Sequence, residues 1–377
     1  MPVATILPEN SPIIGRLYIA FELSSEHWRL AFSDGGQNIR QAVVKANDLV
    51  NLSKEIEKAM ARFKLPADCE KVSCYEAGRD GFWLHRYLLS IGVVNFVVDS
   101  ASIQVNRRHR QAKTDRLDAH KLAVMLLAHY RGENVWSLVN VPSEADEDDR
   151  RINRELERLT KERTAHSNRI TSLLITQGIR LEVSTNFAAE LKAVRLWNGQ
   201  PVGASLKSEL LREFARYTEL GKQIKDVEKE RARRVKDKSA PKMEKVRLLK
   251  TLSGIGDVSS WTLVMEFFGW RHFRNGKEVG SLAGLAPTPF SSGKGEKEQG
   301  ISKAGRRSIR ALMVEIAWFW LRYQPDSKLS RWFNERFSTG ARMRRIGIVA
   351  VARKLLVALW QFVEKGVIPE GAKLKAA

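Results

Sequence analysis

Leu17-Tyr18-Ile19-Ala20-Phe21-Glu22 and, further along, Val72-Ser73-Cys74-Tyr75-Glu76 decide how the chain reads. Each is a short β-rich run with an acidic residue at its end, and neither is long enough to make a helix in a packed domain. Working outward from the first run, Trp28–Phe32 and Arg40–Lys45 read as two more strands, and Leu49–Phe63 carries a helical period. Around the second run lie a helix over 81–91, a strand Asn95–Val98 and a helix from Thr114 to Tyr130. Strands that begin as an antiparallel meander and continue by alternating with helices make an α/β domain, assigned to 1–140.

From Asp146 the pattern changes. Ile152, Leu156, Leu159, Ile170 and Leu173 recur at heptad-like spacing among dense charge, and Leu210, Tyr217, Leu220, Ile224 and Val227 repeat the theme. Two long amphipathic helices of this kind form either an antiparallel hairpin or the seam of a coiled-coil dimer, although Arg163 and His166 fall at inward positions. We read 141–243 as a helical, coiled-coil-like oligomerisation arm, with a single amphipathic helical domain as the alternative. After the basic stretch Arg231–Lys242 a mainly α-helical domain fills 244–377. Within it Leu252-Ser253-Gly254-Ile255-Gly256 reads as a helix-hairpin-helix-like turn or as a simple glycine C-cap.

The formal charge is +21. Residues 1–104 hold 11 Lys and Arg against 12 Asp and Glu, whereas 271–377 hold 21 against 8. A surface of that sign attracts polyanions through counterion release, so nucleic acid is the expected partner. Two cysteines, Cys69 and Cys74, are too few for a zinc cage and read as packing residues. The N-terminus lacks the order of a signal peptide, and Arg353 and Lys354 interrupt the apolar face of 346–362. We therefore expect a cytoplasmic protein with no membrane partner.

Two groups of residues could carry chemistry. Glu22 and Glu76 stand at strand ends, while Asp115 and Asp118 lie three apart on one helical face. Carboxylates brought together from separate elements are what Mg2+ needs when it positions a phosphodiester and neutralises its attacking and leaving oxygens. Taken singly, each acid reads equally well as a cap or a solvated charge. The second group is Pro287-Thr288-Pro289-Phe290-Ser291-Ser292-Gly293-Lys294, followed by Gly300-Ile301-Ser302-Lys303-Ala304-Gly305-Arg306-Arg307. A serine in a glycine-flanked loop can attack phosphorus where cations offset the phosphate charge, and Lys294, Lys303, Arg306, Arg307 and Arg310 are the expected phosphate contacts.

Glu22-Leu23-Ser24, Tyr75-Glu76-Ala77-Gly78 and Lys113-Thr114-Asp115-Arg116-Leu117-Asp118-Ala119 together resemble the DEDD insertion-sequence transposases, whose N-terminal domain is RNase H-like. Leu252–Gly256, Leu282-Ala283-Gly284-Leu285, Phe290–Gly293 and Gly300–Gly305 resemble the serine-bearing C-terminal domain of the same family. The resemblance runs from about residue 17 to 365 and keeps the family's order. It implies a recombinase that joins donor and target DNA under the guidance of a structured noncoding bridge RNA, and the helical arm adds the expectation of a homo-oligomer, dimer or tetramer. It places the nucleophile on Ser292, next to Ser291, and the Mg2+ ligands on Glu22, Glu76, Asp115 and Asp118. At Glu22 the family usually has aspartate, and at Ser25 a lysine is common. A metal-dependent junction nuclease and a nucleic-acid-binding protein without catalysis are the alternative readings.

Overall fold

The computed structural model describes residues 15–36, 38–103, 115–292 and 295–375, the side chains of 115–117 and 289–299 excepted. The chain divides into two compact units, Met1–Val141 and Pro142–Ala377. The second unit takes in both the helical arm and the C-terminal helices.

In the first unit, strands β1 (Leu17–Leu23), β2 (His27–Ser33) and β3 (Arg40–Lys45) form an antiparallel meander. β4 (Lys71–Glu76) then pairs parallel with β1, and β5 (Val93–Val98) pairs parallel with β4, giving the order β3-β2-β1-β4-β5. Helices α1 (Leu49–Arg62) and α2 (Trp83–Ser90) supply the crossovers. Their buried Leu52, Ile56, Leu84 and Leu88 pack with Leu17, Ile19 and Phe21 on one face of the sheet. The opposite face, with Tyr18, Ala20, Val72 and Cys74, is covered by Ala119, Leu122, Ala123 and Leu126 of α3 (Asp115–Tyr130). The strands are legible because their residues alternate between these two cores. Both cysteines are free and buried, and burial pushes the Cys74 thiol well above its ordinary range.

The second unit opens with the short α4 (Glu144–Asp149), whose capping box joins Ser143 and Asp146. The arm is an antiparallel hairpin within one chain. α5 (Arg151–Ile175) runs out, α6 (Phe187–Ala193) closes the far end and α7 (Ala204–Lys236) returns. A small separate core holds the closed end together, with Ile170, Leu174, Phe187, Leu191, Val202 and Leu210. The polar residues at inward positions find partners across the hairpin. The Arg163 guanidinium donates to the Tyr217 hydroxyl at 2.6 Å and lies 4.2 Å from its ring centre, and His166 Nδ1 is 2.5 Å from Glu213 Oε2.

The main core of this unit collects the near end of α5 with α8 (Pro241–Lys250), α9 (Asp257–Leu263), α10 (Gly276–Leu282), α11 (Arg307–Tyr323), α12 (Lys328–Phe337) and α13 (Ala341–Lys365). α9 continues into one π turn, Val264–Phe268, closed by the Gly269 amide donating to the Val264 carbonyl at 2.7 Å. Among the described residues α13 is the one helix long and apolar enough to cross a membrane, and half of its apolar window is buried in this core. In the turn between α8 and α9, Gly254 adopts φ +92 with the Phe319 carbonyl close by, while α8 itself is capped by Thr251, three residues earlier.

One difference from the sequence reading concerns the serine segment. Ser291 and Ser292 belong not to a loop but to strand β6 (Pro287–Ser292), which pairs antiparallel with β7 (Gly295–Ile301), Ser292 lying opposite Gly295. β7 reads Gly-Glu-Lys-Glu-Gln-Gly-Ile and has no apolar alternation, so only its backbone pairing makes it a strand.

The hairpin arm gives a pH prediction. Hydrogen bonding from His166, and the charge of Arg216 beside it, hold the Glu213 carboxyl below the usual carboxylate range. A carboxylate depressed in the folded state stabilises above its unfolded pKa of about 4.3, and that stability is lost as pH falls through the folded value. Glu213→Gln should therefore melt below the parent at neutral pH, with the gap closing on acidification below about pH 4. Melting temperatures across pH check this, and a gap that stays constant with pH would reject the ionic contribution.

Candidate functional site

Parallel pairing sets Phe21 opposite Tyr75, so Glu22 and Glu76 come to stand side by side at the carboxyl ends of adjacent strands. Side chains alternate along a strand, and both glutamates share the parity of Tyr18, Ala20, Val72 and Cys74. Both therefore face α3. The direction of that helix follows from its contacts. Tyr130 at its end meets Tyr18 near the start of β1, ring centres 5.5 Å apart, while the Leu122 carbonyl accepts from the Cys74 thiol at 3.8 Å. α3 thus runs opposite to β1 and β4, and its half-buried Asp118, one turn before Leu122, lies toward the same end as the glutamates. The Asp115 side chain lies outside the described residues.

Glu22 and Glu76 line a cleft of about 390 Å3 together with Ser24, Ser25, Arg79 and Asp80. The Ser24 hydroxyl ties down the turn into β2, donating to the His27 carbonyl at 2.6 Å, and Tyr75 donates to the Gly81 carbonyl at 3.0 Å. The donors are hard carboxylate oxygens, the chemistry that suits a divalent cation. Among the described residues no three such side chains stand close enough to hold one ion as they are placed.

The second candidate region is the β6–β7 hairpin and its base. The base is a backbone-to-backbone contact between the turn after α10 and the loop before α11. Gly284 has φ +68 and a Cβ there would lie 2.6 Å from the Ala304 carbonyl oxygen, while Gly305 has φ +120 and a Cβ there would overlap the Leu282 carbonyl. Only glycine allows that approach. Three further bonds close it: Ser302 N–H to the Ala286 carbonyl at 2.8 Å, Lys303 N–H to the Gly284 carbonyl at 3.2 Å, and Arg310 Nη1 to the Lys303 carbonyl at 3.1 Å. Gly300, φ +84, absorbs the bulge where β7 slips past Thr288.

The expected phosphate contacts divide. Lys303 and Arg307 are exposed, Arg310 is bonded to the Lys303 carbonyl, and Lys294 lies outside the described residues. Arg306 is ion-paired with Glu266, which sits fully buried in the π turn. Sequence reading missed Glu266 and the residues around it. The Glu266 carboxylate also accepts from Asn153 and Arg154 of α5, each at 3.4 Å, and its backbone carbonyl accepts from Arg271 Nη1 at 2.7 Å. A lone acid inside Val264-Met265-Glu266-Phe267-Phe268 was the available signal.

Two family profiles match the chain. One, described as a transposase and belonging to the DEDD domain of IS110 elements, covers residues 24–177, and the other, described as the IS116/IS110/IS902 transposase family, covers 246–330. The first match begins just after Glu22 and contains Glu76, Asp115 and Asp118, and the second contains both serines and the Gly284–Gly305 contact. A putative transposase, y4rJ, of Sinorhizobium fredii (strain NBRC 101917 / NGR234) is 38% identical, covering 96% of this chain and 95% of its own length. The transposase for insertion sequence element IS1533 of Leptospira borgpetersenii is 23% identical over 80% of this chain and 85% of its own. That for IS1328 of Yersinia enterocolitica is 25% identical over 58% of this chain and 63% of its own.

The glycine contact is testable apart from any activity. Gly300→Ala faces open space and should cost only the strain of a left-handed backbone, about 1 kcal/mol, or roughly 2–4 °C of melting temperature. Gly284→Ala and Gly305→Ala must also push carbonyl oxygens apart, and each should cost at least about twice as much. Equal melting temperatures for all three variants would show that this contact does not anchor the hairpin.

Proposed function

Because the chain belongs to the IS116/IS110/IS902 family of transposases, we propose that it cuts and rejoins DNA by transesterification, with Ser292 as nucleophile and Glu22, Glu76, Asp115 and Asp118 as the ligands of Mg2+. The observation that carries this reading is the placement of Glu22 and Glu76 side by side at the ends of β1 and β4, facing the helix that begins with Asp115 and Asp118. The order of the five strands, three antiparallel and two parallel, supports the RNase H-like reading of this unit.

In this mechanism Ser292 Oγ forms a bond to phosphorus as the bond to one deoxyribose oxygen breaks. The serine proton passes to a base and the leaving oxygen takes up a proton, so the number of phosphodiester linkages is conserved and no nucleotide cofactor is consumed. A bound Mg2+ would supply Lewis-acid polarisation of the phosphate and charge neutralisation in the transition state. Lys303 and Arg307, both exposed near the hairpin base, hold the phosphodiester in place. Attack on the phosphoserine by a second strand's hydroxyl then releases the enzyme and completes the exchange. The excess of positive charge in the C-terminal third supports binding of DNA together with a structured guide RNA. We further propose that the chain acts as a homo-oligomer in the cytosol.

The test is denaturing electrophoresis of the protein after incubation with Mg2+, co-purified RNA and labelled DNA. Ser292→Ala should abolish the covalent protein–DNA adduct and recombination yet retain nucleic-acid binding, since one hydroxyl is lost, whereas Ser291→Ala should leave the adduct in place. Asp118→Asn keeps the side chain's shape and removes its charge, and should abolish recombination in a folded protein. A wild-type protein that cuts DNA with no adduct would transfer the reading to a metal-dependent junction nuclease.

A further inference from the structure

Glu266 holds more arginines than it can neutralise. Its carboxylate is paired with Arg306 of the loop before α11 and Arg154 of α5, and its backbone carbonyl takes Arg271. A fourth, Arg150, stacks over the Trp270 ring at 4.6 Å, and Arg271 lies over the same ring at 3.7 Å. Against these four cations stand Glu266, then Glu147, whose carboxylate lies 4.0 Å from Arg150, and Glu157, which accepts from Asn153 at 3.2 Å. The positive surplus sits partly out of water, where charges are screened least. Burial, then the neighbouring Arg150 and Arg306, push the Arg271 guanidinium down to about 10, and burial with the Arg154 charge lowers Arg150 as well.

The arrangement has an inside and an outside. Arg150 is buried and Arg271 half-buried, whereas the Arg154 side chain is 52% exposed and that of Arg306 27%. A guanidinium has five N–H donors. Arg154 spends one on Glu266, and Arg306 spends one on Glu266 and one on Ser308 Oγ at 2.9 Å. The remaining donors are held by a rigid carboxylate on a π turn, so an incoming anion would lose little rotamer entropy from them. A structural staple between α5 and the loop before α11 accounts for Arg154 and Arg306, one on each carboxylate oxygen, but not for the further charge of Arg150 and Arg271, neither of which bonds the carboxylate.

We propose that Arg154 and Arg306, backed by Arg150 and Arg271 and preset by Glu266, form a binding site for a backbone phosphate of nucleic acid. The proposal rests on the reading of the chain as an enzyme of DNA and adds Arg150, Arg154 and Arg271 to its binding surface. The ligand chemistry is the phosphodiester anion, which duplex DNA and single-stranded RNA both present.

The experiment measures affinity of the full chain for labelled random-sequence duplex DNA and, separately, single-stranded RNA across a salt series. Arg154→Gln should weaken binding and make the slope of log affinity against log salt shallower by about one unit for the nucleic acid that occupies the site. Arg154→Lys, which keeps the charge without the fork, should hold the slope near that of wild type. Arg158→Gln, one turn further along α5 and similarly exposed, serves as the control and should leave it unchanged. A loss with DNA alone, RNA alone or both identifies the source of the phosphate. A wild-type slope in Arg154→Gln, an equal loss in the Arg158 control, or an equal loss in Arg154→Lys each overturns the site and leaves the transesterification reading standing. A wild-type protein that binds neither probe brings down both.

Discussion

The parallel pairing of β1 with β4 is the constraint on which the first unit depends. A strand's side chains alternate, so a slip of one residue would turn an entire apolar set from one core to the other and carry the terminal glutamates with it. Here the register leaves Leu17, Ile19 and Phe21 under α1 and α2, and Tyr18 and Ala20 under α3. Glu22 and Glu76 inherit the α3 face from the packing of the residues before them. The acids thus need no dedicated positioning device. Hydrophobic burial of the two strands fixes which way they point, and the antiparallel run of α3 brings Asp118 to the same end.

The second unit is organised by a cost rather than a match. A carboxylate removed from water carries a penalty of several kcal/mol unless its oxygens are paired, and Glu266 is wholly buried. Its partners come from α5 and from the loop before α11, so satisfying one side chain ties together elements distant in sequence. The acid sits in a continuously buried stretch, residues 260–268, whose last five residues form the π turn. The Gly284–Gly305 contact lies beside this network and needs no side chain at all. Together they hold both ends of the β6–β7 hairpin, so its strands project from a base fixed by backbone geometry and by an ion pair.

How much of this was legible depended on the range of the interactions. β3 appears in the structure with the bounds read from its β-rich run, and α3 ends at Tyr130 as read, its expected start at Thr114 lying outside the described residues. The two arm helices were equally plain, but their periodicity carries the same stripe whether the partner is another copy or the same chain. The closing core joins them within one chain, and it sets Phe187, Leu191 and Val202, from a segment without a period to read, against Ile170 and Leu210 of the periodic helices. β7 escaped notice because charged residues fill it, and with it the strand character of Ser291 and Ser292. Glu266 was illegible as a site since Asn153 and Arg154 lie 113 and 112 residues away and Arg306 lies 40 away. Local pattern finds elements, and only tertiary structure pairs a buried charge with its partners.

The distribution of charge follows from what each unit has to do. A cleft lined by Glu22, Glu76 and Asp80 with Arg79 is net acidic and would repel a phosphodiester unless a cation offset its charge, so it is a poor source of affinity for nucleic acid. Affinity must come from elsewhere, and the C-terminal third carries 21 basic residues against 8 acidic ones. An arginine paired with a carboxylate occupies an oxygen that a cation would need, as Arg306 does to Glu266, and the cleft itself has Arg79 in its lining beside the three acids. The same pairing that would spoil a metal site is useful in the second unit, where a single buried acid fixes several guanidiniums and still leaves the balance positive.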